Sequence, residues 1–112
     1  MAQRFSIPYH LVASGGATGF IDIYEVKAGM KFKTESVYVS FPNGTYHELE
    51  IAIFRGAERV APSVGTYVGD GNVIEDEFFT DYSSGEKVRL YYKNNNSTQT
   101  RECFVIVRGF IE

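Results

Sequence analysis

The chain has 112 residues and a mass of 12.6 kDa, with 11 Lys and Arg against 14 Asp and Glu for a formal net charge of −3. That length suits one compact domain over residues 1–112, able to fold without metal or disulfide staples, and the mild acidic balance excludes the basic face of a nucleic-acid binder. Val, Ile, Thr, Phe and Tyr fill 43 positions while Leu, Ala and Met supply 12, which excludes a helical bundle or an α/β nucleotide-binding fold and predicts an all-β domain.

Short alternating segments follow one another, punctuated by turn residues at intervals of roughly ten, the pattern of a sandwich or barrel. The first segment, Phe5 to Leu11, sets Phe5, Ile7, Tyr9 and Leu11 on one face; Pro8 lacks an N–H, so this strand belongs at a sheet edge. A break at Ser14-Gly15-Gly16 leads to a strand from about Phe20 to Val26. The third strand, about Lys31 to Phe41, points Val37, Val39 and Phe41 inward. Pro42-Asn43-Gly44-Thr45 predicts a tight hairpin, because Asn-Gly supplies the positive φ that such a turn needs. The return strand, Tyr46 to Arg55, buries Leu49, Ile51 and Ile53, which are expected to pack across the sandwich against Val37, Val39, Val88 and Leu90. A short piece at Arg59 to Ala61 follows, then a loose stretch with Gly65, Gly69 and Gly71. Strands are predicted at about Val73 to Tyr82, Lys87 to Lys93 and Thr100 to Ile111. About eight antiparallel strands fit a jelly-roll β-sandwich; an immunoglobulin-like sandwich fits less well without a Trp or a cysteine pair.

No apolar run approaches the length of a membrane span, and Met1-Ala2-Gln3-Arg4-Phe5 lacks the apolar stretch of a signal peptide. Cys103 is the lone cysteine, which fits a reducing cytoplasm. It keeps phase with Val105 and Val107 and reads as a buried, inert thiol rather than a nucleophile. His10 and His47 fall at polar-facing positions with no triad partner, and zinc-ligand and phosphate-loop spacings are missing. No enzyme, no cofactor and no metal are therefore expected. Asp70-Gly71-Asn72, with Glu75, Asp76, Glu77 and Asp81 beyond it, offers oxygen ligands of the kind calcium takes, but a solvated acidic strand behind a glycine turn explains the same residues. Asn43-Gly44-Thr45 and the overlapping triplets in Asn95-Asn96-Ser97-Thr98 match the glycosylation pattern and read instead as turn chemistry.

Two features bear on function. Eight Tyr and nine Phe make aromatic platforms for a sugar conceivable, with Tyr38, Tyr46 and Tyr91 as candidate glycan contacts and Tyr67 and Tyr92 also expected at the surface. More informative is Cys103-Phe104-Val105-Ile106-Val107, apolar on both faces, where a sheet with one wet face would alternate. The same excess occurs at Phe20-Ile21, Ile23-Tyr24 and Ile51-Ala52-Ile53-Phe54. The second face of such strands has to be covered from within the chain or by a partner. Phe104, Ile106, Phe110 and Phe54 are the candidate partner interface.

From Phe41-Pro42-Asn43-Gly44 onward, through Gly85-x-x-Val88-x-Leu90-x-Tyr92-x-Asn94 to Val105-x-Val107-x-Gly109-x-Ile111, the chain resembles small jelly-roll proteins of virus particles, in particular the decoration or cement proteins of tailed-phage heads. The resemblance implies a non-enzymatic structural protein that self-associates, with a trimer as first choice. It also implies assembly in a host cytoplasm, a place on the virion surface, and a major capsid or other virion protein as a further partner. A carbohydrate-binding or receptor-binding β-sandwich is the alternative.

Overall fold

A computed structural model describes residues 2–112. Nine strands lie among the described residues: β1 (Gln3–Ala13), β2 (Thr18–Glu25), β3 (Phe32–Phe41), β4 (Leu49–Arg55), β5 (Glu58–Ala61), β6 (Asn72–Glu77), β7 (Asp81–Tyr82), β8 (Lys87–Asn94) and β9 (Arg101–Ile111). They form two antiparallel sheets. The first runs β1-β9-β3-β6, with the short β7 also on β3, and the second runs β2-β8-β4-β5. The pairing is that of one long hairpin with its tip at β4–β5, rolled up on itself. β1 pairs β9 along its whole length, from Gln3↔Ile111 to Ala13↔Arg101. β2 then pairs β8, β3 pairs β6, and β4 pairs β5, while rolling adds the β3–β9 and β4–β8 contacts. This is jelly-roll topology, as the strand count and composition predict.

Alternation builds the core. Ile7, Leu11 and Ala13 of β1, Cys103, Val105 and Val107 of β9, and Val37, Val39 and Phe41 of β3 point inward from the first sheet. Leu49, Ile51 and Ile53 of β4 meet them from the second. The expected partners Val88 and Leu90 lie beside β4 on β8 in the same sheet, as Ile53↔Leu90 shows, so they are lateral neighbours and only Val37 and Val39 face β4 across the sandwich. Two bulges let apolar residues violate simple parity. The extra residue Glu35 in β3 allows Phe32 and Thr34, then Val37 and Val39, to share the inner face. The shift between Asp22 and Tyr24 in β2 lets Ile23 and Tyr24 both pack on the core, which accounts for one of the doubly apolar segments. β1 lies at a sheet edge, where Pro8 costs no ladder bond.

Three local expectations are corrected. Pro42-Asn43-Gly44-Thr45 is a turn with Gly44 at φ 93°, but β3 and β4 belong to different sheets, so it is a crossover and no hairpin. The chain does not return as strand until Leu49, because Tyr46 and His47 hold left-handed φ values of 52° and 59°. The single strand predicted over Val73 to Tyr82 is broken into β6 and β7. There the Thr34 hydroxyl donates to the Phe78 carbonyl at 3.0 Å and accepts from the Thr80 N–H at 2.8 Å, standing in for ladder bonds over residues 78–80.

Side-chain caps close the ends of the sandwich. Buried Asn94 donates to the carbonyls of Ala13, Ser14 and Gln99 at 2.8 to 3.1 Å, tying the ends of β1, β8 and β9 together. Asn96 Oδ1 accepts from the N–H groups of Thr98 and Gln99, so the triplets there do serve as turn chemistry. Asp70 Oδ1 accepts from the N–H groups of Gly44 at 2.8 Å and Thr45 at 3.2 Å, spending on the crossover turn a carboxylate that a cation would need. The other acids diverge: Glu75 accepts from the Tyr38 hydroxyl and Asp76 from the Tyr67 hydroxyl, each at 2.6 Å. Asp70→Ala is therefore expected to cost about 1–2 kcal/mol through two orphaned amides. Added calcium should leave the melting temperature of the natural chain unchanged; a rise of several degrees that Asp70→Asn abolishes would overturn this assignment.

Candidate functional site

The strand register arranges the outer face of the first sheet in rows. His10, Phe104, Ser40 and Val73 lie across β1, β9, β3 and β6 in one row, and Pro8, Ile106, Tyr38 and Glu75 in the next. Ser6, Arg108, Ser36 and Glu77 follow, then Arg4, Phe110 and Lys33. This face is the second side of the doubly apolar β9. Its two halves differ. Toward the Arg4 end the aromatic rings are capped, with the Arg4 guanidinium 5.1 Å from the Phe110 ring centre and that of Arg108 4.2 Å from Tyr38. The Tyr38 hydroxyl is fixed on Glu75, and that bond holds the phenol above its ordinary pKa.

The other half is open and apolar. The Phe104 ring stacks on His10 with centres 4.4 Å apart and planes 10° off parallel, yet Phe104 remains 44% exposed. Val12 lies at the next outward-facing pair along β1, opposite Glu102, and Val73 lies in the Phe104 row beyond Ser40; both are exposed. Pro8, His10, Phe104 and Ile106 line a shallow hollow between β1 and β9. At its rim His10 Nε2 lies 3.7 Å from Glu102 Oε1. Phe104 is thus an exposed phenylalanine in the middle of a sheet face, with His10 and Ser40 directly opposite it on β1 and β3.

The candidate residues do not all meet. Phe104, Ile106 and Phe110 share this face. Phe54 lies on the outer side of the second sheet, its ring 5.0 Å from Phe20 and 6.1 Å from Tyr91, so it forms a separate aromatic cluster. There the Arg89 guanidinium lies 4.5 Å over Phe20 and bonds Asp22 at 3.2 Å. The tyrosines diverge as well: Tyr38 is on the first outer face, Tyr91 on the second, and Tyr46 stands 65% exposed on the crossover turn beside Arg101. Tyr67, expected at the surface, is buried, and Tyr92 packs against the core. Pro8, Val12 and Val73 escaped the sequence reading as members of the patch. The only signal for them was parity, which has no meaning across strands until the register is known.

Cys103 is fully buried among the inward residues of β9, and burial pushes its thiol up to about 12. Burial raises the phenols of Tyr67 and Tyr82 in the same direction. Since the folded state holds all three protonated above their unfolded values, their contribution to stability is complete below about pH 9 and is lost as pH rises from there. Urea unfolding is expected to show a clear loss between pH 9 and pH 11, and Cys103 should resist alkylation until the chain unfolds. Rapid native-state labelling at pH 8 would contradict the placement of the thiol.

No family model and no curated protein matches the chain. Its fold is found in solved structures of low identity. A chain of the cyanophage Pam1 capsid is 11% identical with a TM-score of 0.57, over 97% of this chain and 85% of its own. A chain of the acid-stable capsid of the Helicobacter pylori bacteriophage KHP30 is 16% identical with a TM-score of 0.50, over 98% and 93%. FLHE, described by its crystal structure, is 9% identical with a TM-score of 0.51, over 96% of each chain. The resemblance to jelly-roll virion proteins thus holds at the level of fold.

Proposed function

We propose that this chain is a non-enzymatic structural protein of a virus particle, a decoration (capsid cement) or related surface protein that self-associates through the open half of the first sheet's outer face. The observation that carries the proposal is Phe104, left 44% exposed in the middle of a sheet face beside Ile106 and Val12, whereas Phe110 and Tyr38 on the same face are capped by arginines. A small protein covers such a patch most economically with further copies of itself or with the shell it sits on. The jelly-roll topology shared with phage capsid chains supports a place in a virion, assembled in a host cytoplasm, with three-fold closure as the first choice and a major capsid protein as a further partner. The burial of Cys103, which keeps its thiol protonated and out of reach of solvent, supports a non-enzymatic role.

Light scattering on the purified protein over a wide concentration range tests this. A stable oligomer, weakened by Phe104→Asp or Ile106→Asp, is expected. A strictly monomeric protein at every concentration would overturn self-association.

A further inference from the structure

Phe79 is 75% exposed, more than any other aromatic side chain of the described residues. Its position is not that of a loose loop tip. Phe78 before it is buried, and the segment is tied to β3 on both sides of Phe79. The Phe78 N–H donates to the Glu35 carbonyl at 3.1 Å, and the Thr34 N–H donates to the Thr80 carbonyl at 3.0 Å. With the Thr34 hydroxyl bonded to residues 78 and 80, the backbone presents the Phe79 ring outward as a fixed knob. Ordering an apolar ring in water brings no gain within the monomer, whereas a preorganised aromatic anchor is what a protein contact uses.

We infer that the Phe79 knob of one copy seats in the hollow formed by Pro8, His10, Phe104 and Ile106 of the next. The charges around the two features agree with this. Beside the knob, Glu58 is held by Arg55 and Lys33 by Glu112 with Asp81 close by, which leaves Arg59 without an ion partner among the described residues. Beside the hollow, Glu102 has only His10 within reach among the described residues. Seating the ring thus sets a free cation on one copy against an under-neutralised carboxylate on the other. Knob and hollow are different patches of the same surface, so the contact is head-to-tail and closes into a ring where the rotation permits. The inference rests on the self-association proposed above and specifies its geometry.

The test is complementation between two variants, Phe79→Asp and Phe104→Asp, followed by light scattering with circular dichroism melts to verify folding. Each variant alone is expected to associate at least about tenfold more weakly than the natural chain. An equimolar mixture should regain association but stop at dimers, because only one intact knob and one intact hollow remain to meet. The milder pair Phe79→Ser and Phe104→Ser should behave the same way. If Phe79→Asp associates like the natural chain while Phe104→Asp does not, the head-to-tail contact is overturned and the broader proposal of self-association through the Phe104 face stands. If both variants are weakened but the mixture forms no dimer, the knob does not enter the hollow. A natural chain that is monomeric throughout overturns both.

Discussion

Gly109→Ala is expected to destabilise the protein by about 3 kcal/mol or more, a large effect for a single added methyl. Gly109 sits on β9 opposite Thr34, where β3 bulges around Glu35. A Cβ there would overlap the Lys33 carbonyl oxygen and lie 2.9 Å from the Thr34 Cα. Those are backbone atoms, so no side-chain rotation relieves the clash, and β3 and β9 would have to separate at the point where the bulge aligns the core residues. The constraint is one of space rather than of backbone angle. Chemical denaturation compared with the natural chain measures it. A loss under about half a kcal/mol would show that the strands approach less closely than described.

Ile51→Ala is expected to cost about 2–5 kcal/mol, by lost burial and by the cavity left behind. Ile51 is fully buried in the middle of β4. Its backbone is held from both sides, paired with Tyr92 of β8 and exchanging N–H to carbonyl bonds of 3.0 and 2.8 Å with Tyr67. A strand fixed in this way cannot move in to fill the space, which places the expected loss in the upper part of the range. An effect below half a kcal/mol would mean that Ile51 does not face the opposing sheet.

The two substitutions differ in how far they could be foreseen. The inward direction of Ile51 follows from the alternation Leu49, Ile51, Ile53, a local pattern with a period of two. The crowding at Gly109 follows from β9 lying against a bulge some seventy-five residues away, and no local pattern announces it. The candidate site divides along the same line. That β9 is apolar on both faces is visible in Cys103 to Val107, and Phe104 and Ile106 follow from phase alone. That Pro8, Val12 and Val73 join them, and that Phe54 does not, depends on which strands are neighbours.

Asn43-Gly44 shows the physical reason. By itself the sequence determined the conformation of that turn, because a tight reversal with positive φ requires glycine, and Gly44 holds it. It determined the strands and their inner faces in the same way, through steric preferences and solvation that act within a few residues. Whether the turn joins partners in one sheet or carries the chain between two was decided only by the tertiary structure, where β9 fills the place beside β3 that a hairpin would have given to β4. Gly109 and the Phe79 knob belong to that second kind. Their surroundings come from pairings such as Gln3↔Ile111, whose free energy is gained only when distant parts of the chain bury their apolar faces together.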